Sequence, residues 1–256
     1  MLEEQGLDSR MELLQIPFMS PQNPAIHALI PAAGVGARAG GDIPKQYQML
    51  LGKTLLEHTL AAFARVNGLA SVLVVVSEAD GYADEVMARV PECSTPIRHH
   101  RCGGPTRAQS VLNGLNELLA SHTARLNDWV MVHDAARCLV RPAQIEFLVS
   151  ECADDDVGGL LAIPLADTMK RADQGRSAET VYRGDKWLAQ TPQMFRIGVL
   201  RDALMAAGDD VTDEASAIEM LGLNPKLVMG SAGNFKITWP EDFVVAQALL
   251  QARRLS

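Results

Sequence analysis

The chain has little cysteine, and what it has is not paired by spacing. Cys93, Cys102, Cys138 and Cys152 stand apart with no CxxC among them. That spacing argues against a zinc ribbon or a disulfide framework and reads as free thiols in a reducing compartment. The chain also lacks a basic surplus. A net charge of −8 argues against a general nucleic-acid binder, because phosphate-backbone affinity needs a basic surface. No apolar run approaches the ~20 residues that span a bilayer, so no membrane segment is expected. The first 25 residues carry no basic segment followed by an apolar core, which excludes a signal peptide. A cytoplasmic protein is expected. HExxH, GxSxG and GxxxxGK[ST] are all missing, which removes support for metalloprotease, α/β-hydrolase and P-loop chemistry.

What is present is an alternation of β-rich apolar runs with helical patterns. The 256 residues suit a single α/β domain with an appendage. Residues 1–25 read as an N-terminal extension, frayed or disordered, with Met11 and Met19 as alternative starts. From residue 26 to 256 one domain is expected, with a mostly parallel central sheet and crossover helices. Ile26–Ile30, Ser71–Ser77, Trp129–His133 and Gly159–Ile163 read as strands. Thr54 and Glu57 have capping-box spacing and open a helix through about Arg65. Further helices are expected over Arg107–Leu119, Gln144–Cys152 and Ile197–Ala207, with another starting near Asp213. Asp167 to about Gln190 is polar and without helical period, too long for an ordinary connection. Val181, Tyr182 and Trp187 favour a protruding β-arm there over a disordered loop. A strand at Lys226–Met229, a short strand at Phe235–Thr238 and a final helix from Pro240 complete the expected order.

The most informative segment is Pro31-Ala-Ala-Gly-Val-Gly-Ala-Arg38, which follows the first strand, with Pro44-Lys45-Gln46 close behind. Small residues after a strand let phosphate oxygens approach bare backbone N–H groups. Arg38 and Lys45 place a cation on each side of that turn. Gly34-Val-Gly36-Ala-Arg38-Ala39 also fits the dinucleotide fingerprint. The ribose-binding acid of that fingerprint stands at the end of the second strand, about 20 residues on; here that strand ends at Ser77-Glu78, roughly twice as far. A purely structural glycine turn is the other alternative. Gly103-Gly104-Pro105-Thr106-Arg107 leads into a helix and reads either as a structural turn or as a base-and-ribose pocket using Gly104 and Ser110. Asp134 in HDAAR follows a buried strand, where ligands of open α/β sheets bind. It could hold a phosphate-bound Mg²⁺ or a substrate hydroxyl, or serve as a turn residue. Lys236 alone carries a weak signal, and Thr212-Asp-Glu reads equally well as a helix start with acids in its first turn.

Together, PAAGVGARAGGDIPKQY, GGPTRAQSV, VHDAAR, DTMKR, TPQMF, TDEAS and NFKIT–PED occur in one order. This ordered set resembles the 2-C-methyl-D-erythritol 4-phosphate cytidylyltransferase family of the non-mevalonate isoprenoid pathway, from about Ile26 to the C-terminus. The resemblance implies a Rossmann-like nucleotidyltransferase fold and a homodimer embraced by the β-arm. It implies transfer of a cytidylyl group from CTP to the polyol phosphate, with Mg²⁺ or another divalent cation and release of pyrophosphate. Arg38 and Lys45 match the positions that stabilise the transition state, and Arg183 and Lys236 those that place the substrate phosphate. Ala32, Ala33, Gly34, Gly104, Arg107 and Ser110 match nucleotide contacts. Asp134, Arg137, Thr168, Thr191 and Thr212 match the substrate pocket, with Thr168 and Arg183 reaching across the dimer. Two positions depart from the family pattern: Pro105, where an acid is frequent, and Ala37, where a second basic residue is common.

The chemistry so implied suits these residues. A substrate phosphate is already anionic, so the attack needs positioned charge rather than a general base. The nearest rival is a ribitol-5-phosphate cytidylyltransferase, against which Asp167-Thr-Met-Lys170 and Thr212-Asp-Glu speak. A non-catalytic nucleotide-binding protein of the same fold is the rival from another class. The length and the lack of an Asp-x-His motif lead us to expect no fused cyclase domain.

Overall fold

A computed structural model describes residues 24–34, 43–208 and 211–255. The glycine-rich run beyond Gly34, including Arg38, and residues 1–23 of the expected extension lie outside the described residues. Chain order begins with β1 (Ile26–Pro31), a small hairpin of β2 (Met49–Leu50) and β3 (Lys53–Thr54), and α1 (Leu55–Phe63). There follow β4 (Leu69–Val76), α2 (Ala83–Arg89), β5 (Ile97–Arg101), α3 (Arg107–Ala120), β6 (Trp129–Val132) and α4 (Pro142–Cys152). Next come β7 (Gly158–Pro164), the hairpin β8 (Met169–Asp173) and β9 (Arg176–Val181), and β10 (Trp187–Arg196). The remaining elements are α5 (Ile197–Ala207), α6 (Glu214–Met220), β11 (Lys226–Met229) and α7 (Pro240–Leu255).

Seven strands form one sheet in the order β11-β7-β10-β6-β1-β4-β5. All neighbours pair parallel except on either side of β10, which runs against both β6 and β7. The inner strands are apolar on both faces, as parallel strands covered by helices must be. Ala28 and Ile30 of β1 face a cluster with Leu56, Leu60 and Phe63 of α1 and Ile145 and Leu148 of α4. Leu29, between them, joins the opposite cluster with Val111, Leu115 and Leu118 of α3 and Leu200 of α5. Helix starts follow side-chain chemistry. Thr54 Oγ1 accepts from the Glu57 N–H at 3.1 Å, and Glu57 returns the bond to the Thr54 N–H at 2.6 Å, which is the expected capping box.

From β1 the chain steps outward to β4 and β5, then returns to lay β6 on the other side of β1. The strand order reverses between β1 and β6, and a crevice opens at such a switch point beyond the carboxyl ends of the strands. The loops after β1 and β6 face each other there.

Three parts of the fold differ from expectation. The arm is a β-hairpin, but Trp187–Gln190 belong to β10 and so to the central sheet. That strand escapes notice because Thr191-Pro192 interrupts its middle. Proline cannot donate to a ladder, and the pairing with β7 shifts register between Ala189 and Gln193. Phe235–Thr238 forms no strand. Only Ile237 joins backbone there, its N–H donating to the Ala136 carbonyl at 2.9 Å, while Phe235 and Ile237 pack beside α7. Edge strand β5 (IRHHR) and short α2 lack the apolar periodicity that exposes an element in sequence.

Gly158 opens β7 at φ +104°, and a Cβ there would lie 2.2 Å from the Met194 carbonyl oxygen of β10. Gly158→Ala is expected to cost about 2 kcal/mol or more through strain and overpacking, measured as the shift in urea unfolding.

Candidate active site

Four loops meet at the switch point. The first leaves β1 as Ala32-Ala33-Gly34. Its carbonyl at Ala32 accepts from buried Gln46 Nε2 at 2.6 Å, and its N–H donates to Val75 at 2.7 Å, so this turn is tied to the sheet and to the Pro44–Tyr47 segment. The second runs from Gly103 into α3. Gly103 packs so tightly that a Cβ would meet Ala33 Cβ at 2.4 Å and the Val76 oxygen at 2.9 Å. Only glycine admits that approach. Ser110 Oγ accepts from the Gly104 N–H at 3.0 Å and donates to the Thr106 carbonyl at 2.9 Å, so its hydroxyl clamps the turn. Thr106 caps α3 by accepting from the Gln109 N–H at 3.1 Å. The third loop, His133–Arg137, follows β6, and the fourth is Asn234–Ile237.

These loops enclose a cavity of about 470 Å³ lined by Ala32, Ala33, Gly34, Lys45, Gly104, Arg107, Ser110, Asp134 and Lys236, among others. Asp134 is its electrostatic centre. Arg107 Nε donates to Oδ1 at 2.8 Å and Lys236 Nζ lies 2.9 Å from Oδ2. Arg107 turns its other face to Glu214, with N–O distances of 2.6 and 3.0 Å, the bidentate geometry that fixes a guanidinium. Lys45 Nζ donates to the Ile237 carbonyl at 2.7 Å. The two lysines therefore sit on loops joined to each other, although Lys45 and Ile237 are 192 positions apart.

Burial alone would raise the Asp134 pKa, but Arg107 and Lys236, helped by Arg137, hold it well below the usual carboxylate range. Arg107 is half-buried, and Glu214 and Asp134 raise its pKa above the ordinary arginine value against the cost of desolvation. Burial pushes Glu214 upward, offset in part by Arg107. Next to Asp134, His133 is fully buried, and burial lowers its pKa to about 3. Its Nε2 donates to the Arg137 carbonyl at 3.2 Å and its Nδ1 faces the Thr191 hydroxyl at 3.0 Å. Both ring nitrogens are engaged, so the neutral ring is a structural pin and not a proton shuttle.

Nine of the sequence-predicted residues thus line one cavity. Two more stand just behind it. Thr191 Oγ1 accepts from the Asp134 N–H at 3.1 Å. Arg137 donates to the carbonyls of Asn234 and Ala189 at 2.9 and 3.1 Å, which fixes the Lys236 loop against β10. Thr212 lies beyond Arg107 in a small recess with Asp213 and Glu214, outside the main cavity. Thr168 and Arg183 are exposed, both at the base of the hairpin, and not in the cavity wall. Arg38 lies outside the described residues. Sequence reasoning missed Glu214, His133, Gln46 and Asn234. Asn234 is fully buried, and its Nδ2 donates to the Thr191 carbonyl at 2.9 Å. Each of them lay inside a motif already singled out, and a charge or amide in the midst of small residues was the available signal.

The class follows from this architecture: an open α/β sheet with a cation-ringed crevice at its switch point, a site shaped for phosphate-bearing substrates. More specifically, the chain belongs to the 2-C-methyl-D-erythritol 4-phosphate cytidylyltransferase (IspD) family, whose family model matches residues 26–252. It is a nucleotidyltransferase of that family. A bifunctional IspD/IspF enzyme of Albidiferax ferrireducens is 57% identical over 240 residues, covering 93% of this chain and 56% of the relative. The chain thus spans little more than half of that two-function protein. The 2-C-methyl-D-erythritol 4-phosphate cytidylyltransferase of Chromobacterium violaceum is 51% identical, covering 88% of this chain and 98% of the relative. A crystal structure of a 4-diphosphocytidyl-2C-methyl-D-erythritol synthase superimposes with a TM-score of 0.79 at 42% identity, covering 90% of this chain and 99% of that one.

Two outcomes test this geometry. Glu214→Ala leaves half-buried Arg107 with Asp134 alone and should destabilise the fold by about 1–3 kcal/mol, the scale of a lost charge-assisted bond, read by urea unfolding. His133 gives a pH signature. Its folded pKa is depressed, so below about pH 6.5 the unfolded chain takes up a proton that the fold refuses. Its stabilising effect is complete above that pH and is lost as pH falls towards 3. The loss from pH 7 to pH 5 should be about 2 kcal/mol. In the same titration His133→Asn should lack that part of the slope.

Proposed function

We propose that the cavity binds CTP and 2-C-methyl-D-erythritol 4-phosphate and joins them as CDP-methylerythritol. The phosphate oxygen of the polyol attacks the α-phosphorus of CTP in line. A new O–P bond forms, the bond from the α-phosphorus to the bridging oxygen breaks, and pyrophosphate leaves with that electron pair. One observation carries this reading. Lys45 and Lys236 approach from joined loops, with Asp134 and the small-residue turn between them, at the switch point of the sheet. That arrangement supports holding two polyanions side by side.

The roles divide by position. Ala32, Ala33, Gly34 and Gly104 offer close backbone approach to the nucleotide, while Ser110 acts by holding the Gly104 turn. Arg107 keeps Asp134 ionised and in place. Lys45, together with Arg38, stabilises the charge that develops on the phosphoryl oxygens. Lys236 places the polyol phosphate, with Arg137 and Thr191 positioning the loops around it. The attacking oxygen needs no base, which suits a site whose neighbouring histidine, His133, is fully engaged. The donor set fits Mg²⁺ in a limited way. Among the described residues Asp134 is the one carboxylate of the cavity wall, and Mg²⁺ is commonly held by one or two carboxylates plus substrate phosphates. Such an ion would neutralise charge on the leaving pyrophosphate.

A homodimer through the β-arm completes the proposal. Met169, Tyr182 and Leu188 expose 41%, 75% and 49% of their surface on or beside the arm, an apolar display that suits burial against a second copy. Thr168 and Arg183 would then reach the partner's cavity, and Thr212 would border the same substrate pocket.

Pyrophosphate release from CTP and Mg²⁺ tests the reaction. It is expected with methylerythritol phosphate and not with ribitol 5-phosphate. Release with ribitol 5-phosphate alone would overturn the substrate, and silence with both would overturn the chemistry. Lys45→Ala should lower kcat by about 10²–10³, the scale for losing one preorganised charge-stabilising donor, with the fold intact by circular dichroism. Wild-type kcat in that variant would remove Lys45 from the mechanism.

A further inference from the structure

A second cavity, about 790 Å³, lies on the helical layer formed by α1, α4 and α7, away from the four loops of the site. Lys53, Arg65, Arg141, Arg253 and Arg254 line it, and Glu146 is its one acid. Five fixed cations against one carboxylate is a local reversal in a chain of net charge −8. Among the described residues, Lys53, Arg65, Arg141 and Arg254 have no salt-bridge partner. Elsewhere among the described residues several cations do have a carboxylate partner, as Arg98 has Glu117 and Lys226 has Glu151.

These cations are close enough to act on one another. Arg253 has its pKa lowered by burial and then by the charge of Arg141. Half-buried His58 is lowered first by burial, with Lys53 and Arg254 adding to the effect. Like charges gathered in a concavity oppose each other and raise the local positive potential. A multivalent anion relieves that repulsion. The walls between the charges are apolar, from Ala61, Ala62, Val140, Ala143 and Leu250, which leaves room for an organic portion beside the charged head.

We infer that this cavity between α1, α4 and α7 is a second, non-catalytic binding site for a small phosphate-bearing polyanion. The ligand class is a compound with at least two adjacent phosphate charges on a partly apolar body. None of its cations belongs to the cytidylyl-transfer site, so the inference stands apart from the proposed reaction. An acidic remainder of the surface weighs against a nucleic acid or an anionic membrane as the occupant.

Calorimetric titration of the full chain with inorganic pyrophosphate, without CTP or divalent cation, is the test. Two sites are expected in the wild type. Arg141→Ser/Arg254→Ser should weaken one site about tenfold or more, the scale of a lost charge-assisted contact, and leave kcat for cytidylyl transfer unchanged. Lys45→Ala should weaken only the other. Arg125→Ser, an exposed cation elsewhere, should change neither. The His58 ring resonance should titrate at higher pH when the second site is filled, a response that mere structural cations would not give. A single site abolished by Lys45→Ala, or equal losses in Arg125→Ser and Arg141→Ser/Arg254→Ser, would overturn the inference. Tighter binding of RNA or of anionic vesicles than of pyrophosphate, lost with Arg141 and Arg254, would overturn the ligand class.

Discussion

A carboxylate buried among cations governs this molecule. Asp134 is only 7% exposed, and an isolated charge so placed would neutralise itself by taking a proton. It stays ionised because Arg107 and Lys236 reach it from opposite sides. Those two side chains can do so only if α3 and the loop before α7 are in place. Arg107 in turn needs Glu214 at the start of α6. One small charge thereby fixes α3, α6 and the Lys236 loop relative to one another. The cost of desolvating four ionic groups is offset by complementary geometry, not by burial of oil, so the site is a demanding part of the fold and not an accessory to it.

Much of the architecture was legible because periodicity and capping are local. The run SVLVVVS can hardly be anything but a strand covered on both faces. Thr54 and Glu57 announce a helix start that the side chains then build atom for atom. The anion-binding reading of the β1 turn rested on small residues beside a lysine, and that lysine does face the cavity. What stayed hidden depends on distant partners. β10 carries glutamines, a threonine and a proline, and it is a central strand only because β6 and β7 flank it. The Phe235–Thr238 loop has strand-like residues, yet its bonds go to the Lys45 ammonium, the Ala136 carbonyl and the Asp242 carboxylate. Glu214 and His133 sat inside recognised motifs without a visible role, since a role as support exists only relative to the residue supported.

β10 also shows how two functions share one element. Its first residues emerge from the arm, where apolar side chains are exposed, and its middle passes beneath Asp134 through Thr191. Gln190 bonds to the Ser231 carbonyl at 2.8 Å and so touches the Lys236 loop as well. A partner docked on the arm would bear on a strand tied to the Asp134 backbone through Thr191. The sheet can serve as scaffold on one side of β10 and as transmitter on the other.

The hydrogen bond from Lys45 to Ile237 carries a consequence for synthesis. Lys45 leaves the ribosome 192 residues before its acceptor. At about 5–20 residues per second, the first half of the anion cradle waits roughly 10–40 s for the second. Asp134 is made part-way through that interval, and the Ile237 carbonyl that accepts from Lys45 comes last. Free nucleotides and phosphate carry the charge that the waiting cradle lacks. The nascent chain is thus poised to meet its substrate's chemistry before it has finished becoming an enzyme.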